Sequence, residues 1–204
     1  MAIHLHNGDL PDGLTFGPSI AVDTETLGLK VQRDRLCLVQ ISAGDGDAHL
    51  VKLGPNDYAN AQNLKSVMTN KNLLKIFHFA RFDVAAMQHY LGVRTAPVYC
   101  TKIAAKLTRT FTERNGLKDL LRDLIQVEIS KQQQTSDWGA DKLSDEQMVY
   151  AANDVLHLHA LKEKLDALLV REERDRLAQE CFDFLPTRAE LDLLEWEDPD
   201  IFSH

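Results

Sequence analysis

Residues Ile20–Thr26 read IAVDTET. The segment has the β-branched character of a strand, yet it carries two acids. In a strand, side chains two apart share a face, so Asp23 and Glu25 project side by side while Ile20 and Val22 turn to the opposite face. Carboxylates that close repel one another unless a cation lies between them. An isolated D-x-E reads better as an edge strand with two solvated acids, so the surrounding chain has to decide.

Outward from this segment, RLCLVQISAG (35–44) and AHLVKL (48–53) have strand character and are joined by the short connections LGLKVQRD (27–34) and GDGD (44–47). Three strands with tight links predict an antiparallel meander. A helix is predicted near 56–70, followed by the apolar run LLKIFHFA (73–80), then FDVAAMQHYLG (82–92) with helical spacing and a terminating Gly92. A short strand at PVYC (97–100) leads into helical segments at 101–110 and 116–125. The polar run SKQQQTSDWGADK (130–142) is a loop. At Ser144 the pattern S-D-E-Q matches a capping box and opens one long helix through Tyr150 and Asp154 to beyond Leu169. Antiparallel strands followed by alternating strands and helices predict an α/β fold, a mixed sheet flanked by helices.

That sheet gathers dispersed acids. Asp83 falls at the end of the fourth of these strands or in the first turn of the next helix, where α/β folds place functional groups. A helix N-terminal Asp stabilised by the dipole is its plain alternative. Tyr150 and Asp154 are four apart on one helix face, within the otherwise apolar YAANDVLHLHAL (150–161). Asp23, Glu25, Asp83 and Asp154 together form an oxygen-rich set for hard divalent cations, Mg²⁺ or Mn²⁺. The usual arrangement is two ions about 4 Å apart, which suits phosphodiester hydrolysis. Tyr150 is placed to orient the attacking water, since a phenol with a pKa near 10 is a poor base at neutral pH.

The order D-x-E in a first strand, one Asp after an apolar strand and Y-x-x-x-D in a late helix resembles the exonuclease motifs of the DEDD superfamily in its tyrosine branch. VDTETLGL, RLCLVQIS, KIFHFARFD, GLKDL and SDWGADKLSDEQMVYAANDV resemble the ribonuclease D catalytic domain between Ile20 and Leu165. The resemblance implies a ribonuclease H-like fold, two divalent cations, and 3'-5' exonuclease activity on RNA. Ribonuclease D proper carries helical RNA-binding domains after the catalytic one, and these 204 residues hold no equivalent. A closer resemblance is to stand-alone bacterial members of the branch that remove very short RNA. It is carried by CTKIAAKLTRTFTERNGLKDL, SKQQQTSDWGA and the final ECFDFLPTRAELDLLEWEDPDIFSH. It implies dinucleotides and short 5'-phosphorylated oligoribonucleotides as substrates, DNA as a further substrate class, and a homo-oligomer, a closed ring of eight. By the same resemblance Leu29, four after Glu25, is a wedge between two bases, with packing under its loop as the alternative.

Composition limits the rest. With 44% apolar residues the chain supports one sizeable core, here assigned to an exonuclease domain over 1–181 with a C-terminal extension at 182–204. Phe182, Phe184, Leu185, Leu191, Leu193, Leu194, Trp196, Ile201 and Phe202 make that extension apolar, which predicts subunit contacts or docking on its own domain. Neither a leader nor a membrane span is legible, so a cytoplasmic address with no membrane partner is expected. Cys37, Cys100 and Cys181 are widely spaced among apolar or helical neighbours, which fits reduced thiols and argues against zinc or disulfide chemistry. A net charge of −8 argues against tracking long nucleic acid. Bases nevertheless outnumber acids between Cys100 and Lys131, and Lys106, Arg109, Arg114 and Lys118 are candidates for a phosphate-binding cluster, with solvated helix faces as the alternative. Thr24, Gln40 and His78 are further candidates for contact with substrate, with core hydrogen bonds as the rival reading for Gln40 and His78. Trp138 is read as packing its loop onto the domain, and His157 as a residue beyond the ligand set. Two other classes share some of these features: a non-catalytic nucleic-acid-binding module, which needs a missing carboxylate, and a ribonuclease H-like endonuclease, which lacks the tyrosine.

Overall fold

A computed structural model describes residues 2–130 and 132–196 together with 201 and 203. Its six strands are β1 (Ile3–Asn7), β2 (Ser19–Thr26), β3 (Leu36–Ser42), β4 (Ala48–Lys52), β5 (Leu74–Phe77) and β6 (Val98–Cys100). They form one sheet in the order β1-β4-β3-β2-β5-β6. The predicted meander is present, with β2 antiparallel to β3 and β3 antiparallel to β4. β5 and β6 then add in parallel beside β2. β1 was not legible in advance. It runs parallel to β4 at the sheet edge, and its sequence IHLHN leaves two of its five residues half-buried and the rest exposed.

Helices cover both faces: α1 (Gln62–Thr69), α2 (Ala80–Leu91), α3 (Thr101–Thr108), α4 (Leu117–Leu120) continued by a π-helical turn over Leu121–Ile125, α5 (Asp145–Leu156), α6 (Leu158–Arg171) and α7 (Asp175–Leu193). β3 is buried at every position and lies at the centre of the packing. Its apolar side chains, with Ile20, Val22, Ile76 and Phe77, belong to the core.

Two expectations are corrected. The single long helix from Ser144 is two helices, broken at His157 (φ −106°, ψ −3°). The break lets α5 lie across β2, β3 and β4 while α6 turns to pack on α3. An unbroken apolar stripe in the sequence cannot report such a change of partner. The boundary expected between Cys181 and Phe182 falls inside α7, which is continuous there. Phe182, Leu185 and Ala189 are buried in the main core. Arg81 on α2 donates to both carboxylate oxygens of Asp192 on α7 (2.5 and 2.7 Å). The segment after residue 181 thus begins as a brace for α2, the helix that carries Asp83. Leu194, Trp196 and Ile201 remain exposed, and Phe202 lies outside the described residues.

Candidate active site

β2 is the origin of the site. Asp23 pairs with Gln40 and Glu25 with Leu38 across the β2–β3 ladder, and the register shifts between Glu25 and Thr26. Such a bulge bends a strand end and re-aims its side chains. Asp154 comes from α5, which crosses this face. Oxygens of Asp23, Glu25 and Asp154 lie within 4.8 Å of one another. Asp83 enters from the first turn of α2, so the helical alternative for its position is correct, and it lines the same cavity. Thr24, buried between the two acids, donates its hydroxyl to Asp83 Oδ1 at 2.6 Å. Its hydroxyl is engaged in holding a carboxylate.

Burial and mutual repulsion dominate the electrostatics. Asp23 is pushed well above the usual carboxylate range by burial, then by Asp83, Asp154 and Glu25. Burial, then Asp154 and Asp83, raise Glu25 to about 9. Burial raises Asp83 to about 7 against the opposing hydrogen bond from Thr24. A site built only of oxygen donors, whose charged forms are disfavoured by one another, fits a hard divalent cation. A cation there relieves the repulsion and restores the ionised carboxylates. Tyr150 is pushed upward by burial, then by Asp154, Glu25 and Asp23, so its phenol is protonated at neutral pH.

Around this centre lies a cavity of about 760 Å³, walled by Asp23 to Leu29, by His78 and Phe79, by Lys102, and by the loop residues Ser130, Gln134, Thr135 and Ser136. Gln40 is fully buried and its Nε2 donates to Asp23 Oδ2 at 3.4 Å. Gln40 therefore braces a carboxylate, in line with the core-bond reading. His78 Nδ1 lies 2.9 Å from Thr101 Oγ1, which itself donates to Phe77 O. With the threonine proton committed, Nδ1 is the donor in that bond. Leu29 is 86% exposed and lines the cavity, so it does not pack under its loop. Gly28 allows that loop: a Cβ there would meet Asp34 Oδ2 at 2.4 Å, and this carboxylate accepts the backbone N–H of Lys30.

The predicted basic cluster is divided. Arg109 is buried and paired with Asp123 at 2.7 Å, and it is not a solvated surface residue. Lys106 and Arg114 are exposed and, with Arg109, lie outside the cavity wall, whereas Lys102 and Lys118 belong to it. Trp138 is 2% exposed and packs its loop against Leu38, Leu50 and Ala151. His157 caps α5 away from the cavity wall. Gln147, the capping-box partner of Ser144, also donates to Ser136 Oγ and Asp137 O, tying the polar loop to α5. Phe79, Lys102, Ser130 and residues 134–136 are what sequence reading missed. All three cysteines are free thiols, and no helix among the described residues is long and apolar enough to cross a membrane.

Four carboxylates and a tyrosine therefore line one cavity, an oxygen-rich donor set of the kind that suits divalent cations. A family profile described as 3'-5' exonuclease matches residues 10–169, and the chain belongs to that family. Among solved structures it is similar to Brucella melitensis NrnC. One NrnC structure has bound Mg²⁺ (49% identical, TM-score 0.94, covering 100% of each chain), and another is bound to pGG (50% identical, TM-score 0.95, covering 100% of this chain and 99% of that one). A curated relative, ribonuclease D of Jannaschia sp. (strain CCS1), is 32% identical over 165 residues, covering 80% of this chain and 42% of its own length. The chain spans about two fifths of the length of the curated ribonuclease D relatives it first matches.

Proposed function

We propose that the protein is a two-metal-ion 3'-5' exoribonuclease that degrades very short RNA, dinucleotides and short 5'-phosphorylated oligoribonucleotides, to nucleoside monophosphates. The observation that carries this reading is the make-up of the cavity: a carboxylate cluster, the exposed Leu29, and Lys102 and Lys118 as the cations of its wall. At about 760 Å³ it is of small-molecule size. Outside it the formal charge of −8 disfavours a long polyanion.

Asp23, Glu25, Asp83 and Asp154 hold the cations, with Gln40 bracing Asp23 and Thr24 bracing Asp83. Divalent cations bound there would supply an activated water and stabilise charge on the leaving oxygen. Tyr150, kept protonated by burial and then by the acids around it, orients the water by hydrogen bonding and takes no proton. His78, oriented by its Nδ1 bond to Thr101, lines the cavity and faces the phosphate or leaving group. Leu29 separates the two bases. NrnC bound to pGG, at 50% identity over nearly the full chain, supports the substrate class. A homo-oligomer is part of the proposal, supported by the exposed Leu194, Trp196 and Ile201 beyond α7.

The test is a degradation time course with Mg²⁺ or Mn²⁺ on a 5'-phosphorylated dinucleotide, a long single-stranded RNA and matched DNA. Mononucleotide products and a higher kcat/KM on the dinucleotide are expected. Equal or faster processing of the long RNA would return the protein to general ribonuclease D-like trimming, equal rates on DNA would remove the RNA preference, and oligomeric products would indicate an endonuclease.

A further inference from the structure

Phe79 sits between β5 and α2, at the N-cap position of the helix that carries Asp83. Its backbone is left-handed, φ 71° and ψ 43°. That conformation is unfavourable for a residue with a Cβ, is rarer still for a bulky one, and is the natural place for glycine. Strained positions of this kind persist where the surroundings or the function require them. The surroundings do supply a frame: Ala80 is fully buried, and the carbonyl of Phe79 accepts from Phe82 N at 3.2 Å. This frame accounts for the backbone and leaves the ring unexplained. An aromatic side chain that the core wanted would be buried, whereas Phe79 is 46% exposed and forms part of the cavity wall.

Lys102 adds a second observation. Its Nζ lies 4.2 Å from the centroid of the Phe79 ring, so the ring lies against a cation in the same cavity wall. An exposed aromatic ring beside an ammonium group matches the two parts of a nucleotide, a base with a π-face and a phosphate. Because Phe79 is only four residues before Asp83 on a rigid strand-to-helix junction, its ring is placed at a set distance from the carboxylates.

We propose that Phe79 is a base-stacking platform that positions one nucleoside of the substrate over the catalytic carboxylates, with Lys102 beside it for a substrate phosphate. The inference rests on the short-RNA reading above and adds a residue that determines positioning. Phe79 recognises a base by its π-face and so accepts purines and pyrimidines alike.

The experiment uses the full chain with Mg²⁺, comparing wild type, Phe79→Gly and Phe79→Trp on a 5'-phosphorylated dinucleotide and on two analogues that lack the 5' or the 3' base. Phe79→Gly should keep or raise the thermal midpoint, because glycine tolerates the left-handed backbone, while raising KM about tenfold or more. Phe79→Trp should retain the wild-type KM. On the analogue lacking the stacked base, wild type and Phe79→Gly should become equal. An unchanged KM in Phe79→Gly, or the same loss on all three probes with a lowered midpoint, would overturn the proposal and assign Phe79 a purely structural role. If the wild type turned over long RNA but not the dinucleotide, the short-RNA reading would fall and the platform with it. That outcome is distinct from normal dinucleotide turnover with an indifferent Phe79.

Discussion

The β2–β5 pair carries buried charge of opposite sign at two places, and the two are handled in opposite ways. Lys75 pairs with Ile20 in the β2–β5 register and is completely buried. Its Nζ donates to Asn70 O, Leu73 O and Ala96 O at 2.7, 2.8 and 2.6 Å. Three ammonium protons meet three carbonyls, which also tie β5 to the chain entering β6. Farther along β2, Asp23 and Glu25 meet Asp154 and Asp83 and are raised by burial and then by repulsion from these neighbours. A buried charge with every bond matched is scaffold. One raised by its neighbours is a site awaiting a ligand of opposite charge.

The strongest way to break this contrast is to neutralise the acids one at a time. Asp23→Asn, Glu25→Gln, Asp83→Asn and Asp154→Asn should each lower kcat/KM at least about 100-fold, since losing a ligand exceeds the usual cost of losing its supporting bonds. The metal-free thermal midpoint should hold or rise, because a repelling charge has gone. Steady-state kinetics and a melting curve in chelator check both parts. Full activity in any variant, or in wild type with chelator, would end the metal-site assignment. A midpoint that fell in all four would make the acids scaffold like Lys75.

Lys75 should behave in reverse. Lys75→Met removes three hydrogen bonds in a dry environment and strips Leu73 O and Ala96 O of the ammonium donor, while Asn70 O keeps the N–H of Leu73, a loss on the order of 3 kcal/mol. For a chain of this size that is about 6–12 °C in the thermal midpoint. Turnover per folded molecule at a permissive temperature should stay near wild type, because Lys75 touches no cavity residue among its hydrogen-bond partners. A stable variant with poor kcat would mean that Lys75 acts on the site after all.

The same contrast explains what could be read in advance. Residues whose placement follows from local period were legible: Asp23 with Glu25 at two apart in a strand, Tyr150 with Asp154 at four apart in a helix, and Gln40 by alternation along β3. So was the capping box at Ser144, complete with Gln147. What depends on distant partners was not legible. Charge clustering along the chain pointed to Lys106, Arg109, Arg114 and Lys118, but helix phase and packing keep only Lys118 of these in the cavity wall, add Lys102 and bury Arg109 against Asp123. The break at His157 follows from two helices finding different partners. The left-handed turn at Phe79 is imposed by the strand-to-helix junction on a residue whose own preference opposes it. β1 escaped notice because an edge strand with mostly exposed side chains shows no buried face to read.

The smallest effect is also the one that sharpens the comparison most, the pH dependence of the metal-free protein. Glu25 has its folded-state pKa raised from about 4.5 to about 9, and Asp83 from about 3.8 to about 7. Between those values the folded protein keeps a proton that the unfolded chain has released, so stability falls as pH rises, by up to about 1.4 kcal/mol per pH unit per group. Lys75 runs the other way: burial lowers it to about 8, so its unfavourable charge is relieved only as pH climbs from there toward 10.5. Below pH 6.5 the histidines lowered by burial, His6, His49, His157 and His159, also make stability rise with pH. The window from about pH 6.5 to 8 therefore isolates the carboxylates. In chelator, the thermal midpoint of wild type should fall relative to Glu25→Gln across that window, the gap widening by at most about 3–6 °C per unit. Saturating Mg²⁺ should abolish the slope, since metal binding displaces the same protons, and should raise the wild-type midpoint more at pH 8 than at pH 6.5. A gap that stayed constant in chelator would mean that Glu25 is already ionised without metal, and its environment would then resemble the satisfied one of Lys75.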